Sequence, residues 1–409
     1  MVIGIEDINP YLGLASLDTA TLFSLRGLDE ARRGNLMMDR KSVGLPNEDA
    51  VSNAVNAAAP ILAGLTEAER NGIEAVIVGS ESGIDFGKPI STYVHNLLGL
   101  GHRCRSFEVK HACYGGTAAL RTAEGILRSA PKGSKVVVIA SDAASVAARG
   151  TYWEPSQGAG AVAILVSDEP RILALDRGAY GLYTDEVMDT LRPAPDVEAG
   201  NTDLSLVSYL TALDETWQDY AARVWGADLV ASFDRIVLHT PFAGMVVGAH
   251  RRLLTRRGGL SREAAEEDFQ RRTRPSLDFC SEAGNVYSAA LYLALVSMID
   301  TVRSDQDERY ALFSYGSGCA AEFYSGVVPA GAWQVVARHK TRDRLAARYP
   351  LSPEEYEVIV DLAVERMAGV QHQEFDTSSY DSVLAHHRGE RVCVLDRIED
   401  YHRAYRWIG

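Results

Sequence analysis

Residues 108–142 read EVKHACYGGTAALRTAEGILRSAPKGSKVVVIASD, and the alternation inside this stretch decides the fold class. A cysteine and two glycines lead into a helix predicted over Thr117–Ala130, whose Leu120, Ala123, Ile126 and Leu127 recur at three- and four-residue spacing. The continuous apolar run Val136–Ala140 (VVVIA) follows and ends in SDAAS. Upstream, Ala75–Val78 (AVIV) runs in the same way into GSESG. Unbroken apolar strands alternating with helices describe a sheet covered on both faces, so the expected class is α/β.

The second half repeats this logic. Arg235–Leu238 (RIVL) runs into His239, a helix is predicted over Tyr287–Ile299, and Tyr310–Phe313 (YALF) ends in SYGSG. Thr117-Ala118-Ala119-Leu120 after Cys113 is matched by Ser288-Ala289-Ala290-Leu291 after Asn285, a weak internal duplication. Turn residues in Ser167–Arg171 (SDEPR) mark a boundary, giving an N-terminal half 1–168 that carries Glu81 and Cys113 and a C-terminal half 169–409 that carries His239. The Arg-rich stretch 250–274 and the charged region from Arg338 onward read as surface elements attached to this core.

Composition bounds the function. The chain has 409 residues, 46% of them hydrophobic and 23% charged, which fits a folded enzyme with a large core and excludes collagenous or wholly disordered chains. A net charge of −14 argues against nucleic acid as a partner. No apolar run reaches the ~18 residues of a membrane span, and MVIGIEDINP lacks the pattern of a signal peptide, so a cytoplasmic protein is expected. Cys104, Cys113, Cys280, Cys319 and Cys393 form no CxxC pair; free thiols are expected, with neither a disulfide framework nor a metal site.

Five features can carry chemistry. Cys113 is placed between a strand and a helix start, where unpaired N–H groups favour the thiolate, so a lowered thiol pKa is expected; an inert buried cysteine is the alternative. Glu81 follows AVIVGS at the carboxyl edge of the sheet, where burial would raise its pKa and make it a general base; a loop glutamate in water is the competing reading. His239 closes RIVL and can polarise a carbonyl or shuttle a proton, unless it is a satisfied structural histidine. Ser281–Asn285 and Ser314–Gly318 are small-residue turns after regular elements, able to present backbone N–H donors or to be only turns. His386 and His387 lack metal-site spacing and read as surface residues.

Taken together, GSESGID, KHACYGGTAAL, LHTPF, GNVYSAALYLAL and FSYGSG, in this order along nearly the whole chain, resemble the 3-hydroxy-3-methylglutaryl-CoA synthase family of the thiolase superfamily. The resemblance implies a duplicated, five-layered α-β-α-β-α thiolase-like fold and a homodimer. It also implies Glu81 as general base, Cys113 as nucleophile and His239 as the third catalytic residue, with Asn285, Tyr287, Gly316 and Ser317 in substrate-binding and thioester-cradling segments. One departure stands out. Members of primary metabolism tend to carry lysines soon after HTPF, where they meet coenzyme A phosphates, whereas this chain reads AGMVVGAHRR, and Val246, Val247 and Gly248 offer no charge there.

With NLMMDRKSVGLPNEDAVSNAVNAA near the N-terminus, that departure resembles the polyketide β-branching subgroup. The implied reaction adds a Cys-bound acetyl group, taken from a donor acyl carrier protein, to the β-carbonyl of a β-ketoacyl group on an acceptor carrier protein, followed by thioester hydrolysis. No bound cofactor is expected; phosphopantetheine, or coenzyme A, enters only as part of the substrate. An HMG-CoA synthase of primary metabolism and a non-catalytic carrier-binding scaffold are the competing readings. Stretch 250–274 carries eight arginines against four acids, so Arg251, Arg252, Arg256 and Arg257, with no acid among them, are the expected docking site for an acidic carrier protein. A helix face with internal salt bridges is the alternative.

Overall fold

The computed structural model describes residues 2–409. Nine strands form one mixed sheet: β1 (Gly4–Tyr11), β2 (Ile73–Gly79), β3 (Arg105–Val109), β4 (Lys135–Asp142), β5 (Gly160–Ser167), β6 (Leu173–Thr184), β7 (Arg235–Leu238), β8 (Glu308–Gly316) and β9 (Ala320–Val328). Their order from edge to edge is β7-β8-β9-β6-β1-β5-β4-β2-β3. β2 runs parallel to β3 and β4, β4 is antiparallel to β5, and β5 to β1. The other half repeats the scheme, β7 parallel to β8, then β8–β9 and β9–β6 antiparallel. Two residue pairs, Gly4 with Ala174 and Ile5 with Leu173, join the halves across the SDEPR boundary.

Six helices complete the frame: α1 (Ala50–Ala63), α2 (Gly115–Ser129), α3 (Thr202–Arg223), α4 (Ala243–Arg256), α5 (Arg262–Arg272) and α6 (Ala290–Val302). Period-two alternation sorts the strand side chains into layers. Val136, Val138 and Ala140 of β4 and Val237, Tyr310 and Leu312 of β7 and β8 face a central core with α2 and α6. Val137 and Ile139 face α1 on one outside, and Ile236, Leu238, Ala311 and Phe313 face α3, α4 and α5 on the other. The expected α-β-α-β-α layering is therefore present. Every residue of α6 from Ala290 to Asp300 is buried, as a helix sandwiched between two sheet halves requires. Asp49 starts α1 with a capping box closed by Ser52.

Both stretches read as surface attachments are structural. His250 and Arg272 are buried, Arg272 only 1% exposed. His250 meets Asp268 at 2.9 Å, and Arg272 donates to Asp268 and to the carbonyls of Leu229 and Phe233. A charge count along the sequence misses this because the acid and the carbonyl acceptors lie on other turns and elements. The chain beyond Arg338 covers the first half: Tyr349–Pro350 pairs with Ala15–Ser16, Asn56 brackets the backbone of Cys393, and Arg403 meets Asp49 at 2.8 Å. His386 is exposed as expected, but His387 is buried, with its ring against the Leu14 carbonyl at 2.9 Å. No helix is long and apolar enough to cross a membrane among the described residues.

Candidate active site

The carboxyl ends of β2 and β4 meet the start of α2. β2 ends at Gly79, and Glu81 follows in the turn; Cys113 stands two residues before α2, after Ala112, a non-glycine residue held at φ +39°. Such a backbone costs about 1–3 kcal/mol and persists where the surroundings fix it. The Cys113 Sγ–H points at Glu81 Oε2, 3.6 Å away, so the two residues singled out from separate motifs form one pair.

The expected lowering of the thiol pKa is overturned. Burial pushes the Cys113 thiol well up, and the Glu81 and Asp142 carboxylates push it further. Here desolvation and two neighbouring negative charges outweigh the partial charge of a helix start. The thiol is therefore protonated at rest and donates to Glu81. Glu81, 18% exposed, is itself raised to about 7, by burial first; Asp142 and Glu198 add to the rise while the Arg192 guanidinium opposes it. A carboxyl poised near neutral pH can both accept and return a proton.

Asp142, the last residue of β4, was not foreseen. It accepts from the Glu81 backbone N–H at 2.8 Å, from the Ser80 and Ser82 hydroxyls at 3.1 and 3.0 Å, and from the Ser288 N–H at 3.0 Å. One buried carboxylate thus clamps the Glu81 turn to the segment entering α6, joining the two halves. The motif SDAAS ended the strand and carried no other mark of its role.

From the second half, His239 follows β7, and its backbone N–H donates to Phe313 of β8 at 2.8 Å. The Tyr209 hydroxyl holds its carbonyl at 2.8 Å and the Tyr209 ring lies 6.4 Å from the imidazole. Burial alone pushes His239 down to about 3, so the ring is neutral near pH 7. The next residue along β8, Ser314, accepts from Thr117 of α2 at 2.8 Å, which places the end of β8 against the helix that begins after Cys113.

At Gly316 the end of β8 comes close to the backbone just before α2. A Cβ there would lie 2.5 Å from the Tyr114 nitrogen and 2.7 Å from the His111 carbonyl oxygen, so a glycine is required. Ser317 follows in a turn tied down by Asp189, which accepts from the Gly318 N–H at 2.9 Å and from the Tyr315 hydroxyl at 2.6 Å. Asn285 spends its side-chain oxygen on the Tyr287 N–H at 2.9 Å, and its backbone N–H donates to Ser156 at 2.7 Å. Tyr287 is buried, with the Arg192 guanidinium 5.6 Å from its ring.

Arg192 was also missed. It sits on the short hairpin formed by Thr190–Ala194 and Val197–Gly200, with Nη2 at 3.4 Å from Glu81 Oε1 and 3.4 Å from Glu198 Oε2. No motif announces it, because 111 positions of sequence separate it from Glu81 and the irregular stretch around it gives no periodic signal.

The four arginines named for docking lie at and just past the end of α4. Arg252, Arg256 and Arg257 converge on Asp214 of α3 at 3.5, 3.7 and 3.4 Å, and Arg251 meets Glu266 of α5 at 3.4 Å. Acids do lie among them, brought from other helices. Three cations share one carboxylate, so the cluster keeps a positive excess.

Residues 2–170 match the family model for the hydroxymethylglutaryl-coenzyme A synthase N terminal, and residues 259–406 match that for its C terminal. The chain is 44% identical, over 99% of both chains, to the polyketide biosynthesis 3-hydroxy-3-methylglutaryl-ACP synthase PksG of Bacillus subtilis. It is 34% identical to a hydroxymethylglutaryl-CoA synthase of Enterococcus faecalis, over 88% of this chain and 91% of that one. Among solved structures, the curacin biosynthetic pathway HMG synthase in complex with apo donor-ACP matches with a TM-score of 0.97 and 45% identity over all of both chains.

Proposed function

Since the chain belongs to the hydroxymethylglutaryl-coenzyme A synthase family, we propose that it is the condensing enzyme of polyketide β-branching, working on carrier-bound acyl groups in the cytoplasm. The observation that carries the chemistry is the Cys113–Glu81 pair at the meeting of the two halves. In the first step Glu81 takes the thiol proton as Cys113 attacks the acetyl thioester on the phosphopantetheine arm of a donor carrier protein. The departing pantetheine thiolate takes that proton back, leaving acetyl-Cys113 and an ionised Glu81.

Glu81 then removes a methyl proton, and the enolate adds to the β-carbonyl of the acceptor's β-ketoacyl group. The neutral His239 imidazole polarises that oxygen through an N–H, and the proton held by Glu81 ends on the new hydroxyl. Water, deprotonated by Glu81, attacks the Cys113 thioester, and the thiolate recovers its proton. Backbone N–H groups at Cys113 and in the Gly316–Ser317 turn hold the thioester oxygen, each worth ~3 kcal/mol in other acyl-transfer sites. Asn285 shapes the entry to α6, and Tyr287 lines the same wall.

Carrier proteins, donor and acceptor, are the proposed partners, docking on Arg252, Arg256 and Arg257 with Arg251 at the margin. The 44% identity to PksG over 99% of both chains, with Val246, Val247 and Gly248 in place of charge after HTPF, favours carrier-bound substrates over coenzyme A thioesters. The halves are assigned as 1–168 and 169–409. We further assign a homodimer, in which the open edge β3 pairs with a second copy. Intact-protein mass spectrometry after incubation with acetylated donor carrier protein tests the assignment: one acetyl group is gained on Cys113, faster than from acetyl-CoA. A protein that gains none is a scaffold, and one that prefers acetyl-CoA belongs to primary metabolism.

A further inference from the structure

The hairpin carrying Arg192 is anchored outside the Cys113–Glu81 pair. Asn201 N–H donates to the Asp189 carbonyl at 2.9 Å at its base, Asp189 is bonded to the Tyr315 hydroxyl and Gly318, and Glu198 is held by the Gln157 side chain at 3.1 Å. Arg192 therefore arrives preset, stacked on Tyr287 and shared between Glu81 and Glu198. The two oxygens of Glu81 have separate partners: Oε1 faces Arg192, while Oε2 faces the Cys113 thiol. A carboxylate tethered by one oxygen keeps the other aimed at the reacting groups. Resting on the proposed role of Glu81, we infer that Arg192, anchored by Glu198, is the positioning residue that keeps the Glu81 carboxylate ionised and turned toward Cys113 between successive proton transfers.

The groups that face Glu81 are Arg192 and Glu198 from the hairpin, Asp142 from the end of β4, Cys113 from the start of α2 and Tyr287 from the turn into α6. Burial and the two acids favour the protonated form; the Arg192 cation is the larger influence opposing them, and the Cys113 thiol donating to the other oxygen is the smaller. Glu81 works as a base only when ionised, so proton abstraction is lost as pH falls through its pKa. Removing the cation must move that acid limb to higher pH. Removing Glu198 frees Arg192 for Glu81 and must move the limb to lower pH. A hairpin anchor with only a structural role would produce no such opposition.

The experiment loads the full-length protein with acetyl-pantetheine and follows deuterium uptake into the Cys113-bound acetyl methyl as a function of pD, by mass spectrometry. Arg192→Met is expected to shift the acid limb up by about one unit, a roughly tenfold loss of exchange below it. Glu198→Gln shifts the limb down, and Arg192→Lys keeps it near that of the unaltered protein. Limbs that stay together, or that shift in the same direction, overturn the inference. If Arg192→Met does not fold, the Glu198→Gln and Arg192→Lys limbs decide by the same criterion. Failure of the unaltered protein to take acetyl at all would instead overturn the proposed function.

Discussion

Cys113 and Glu81 share one proton between a high-pKa thiol and a carboxyl raised to about 7, and each has a distinct failure. Cys113→Ser is expected to abolish acetyl loading, because a serine hydroxyl, a far weaker acid than the thiol, does not pass its proton to the same carboxyl as it attacks; acetyl found on another cysteine would contradict this. Glu81→Gln is expected to load acetyl more slowly, since the amide cannot carry the thiol proton away, and to lose condensation altogether. Quenched-flow mass spectrometry separates these two steps. Because Glu81 is raised in the folded site and must be ionised to act, condensation declines as pH falls through about 7, visible as an acid limb in single-turnover rates. His239, pushed down to about 3, contributes no limb in the neutral range.

At the scale of elements, function depends on how closely two strand ends approach one helix start. Gly316→Ala places a Cβ 2.5 Å from the Tyr114 nitrogen, and only movement of β8 away from α2 relieves it. A loss of about 1–3 kcal/mol in denaturant unfolding, with slower acetyl loading, is expected; unchanged stability and loading would show that the contact yields freely. The elements themselves were legible, because Ala75–Val78, Val136–Ala140 and Arg235–Leu238 are unbroken apolar runs and Leu120, Ala123 and Leu127 keep helical spacing. The placement of Glu81, Cys113 and His239 was legible because each follows such a run or precedes such a helix. Asp142, Arg192 and Asp214 were not, since their partners lie across the molecule, and periodicity carries no information about which strand ends or hairpins meet. The same blindness made Arg272 and His387 look exposed: both are held by backbone carbonyls far along the chain.

On the scale of the whole molecule, an acidic chain of net charge −14 presents a local cationic cluster at the end of α4. Arg256, 59% exposed, and Arg252 are the positions to reverse, because Arg257 then remains to partner Asp214. Arg252→Glu with Arg256→Glu is expected to slow acetyl loading from carrier protein about tenfold or more at low salt, with loading from acetyl-pantetheine nearly unchanged. Equal loss from both donors would mean damage to the site rather than to docking. The proposed reaction passes an acetate unit from one carrier protein through Cys113 onto the β-carbon of an acyl group on another. Its most direct measurement is the mass of a β-ketoacyl acceptor carrier protein after mixing with this protein and acetylated donor carrier protein. The acceptor is expected to gain the elements of one acetic acid, and to stay unchanged with Cys113→Ser or Glu81→Gln. An acceptor that gains nothing while Cys113 is acetylated, or one that gains the same mass with Glu81→Gln, would contradict it.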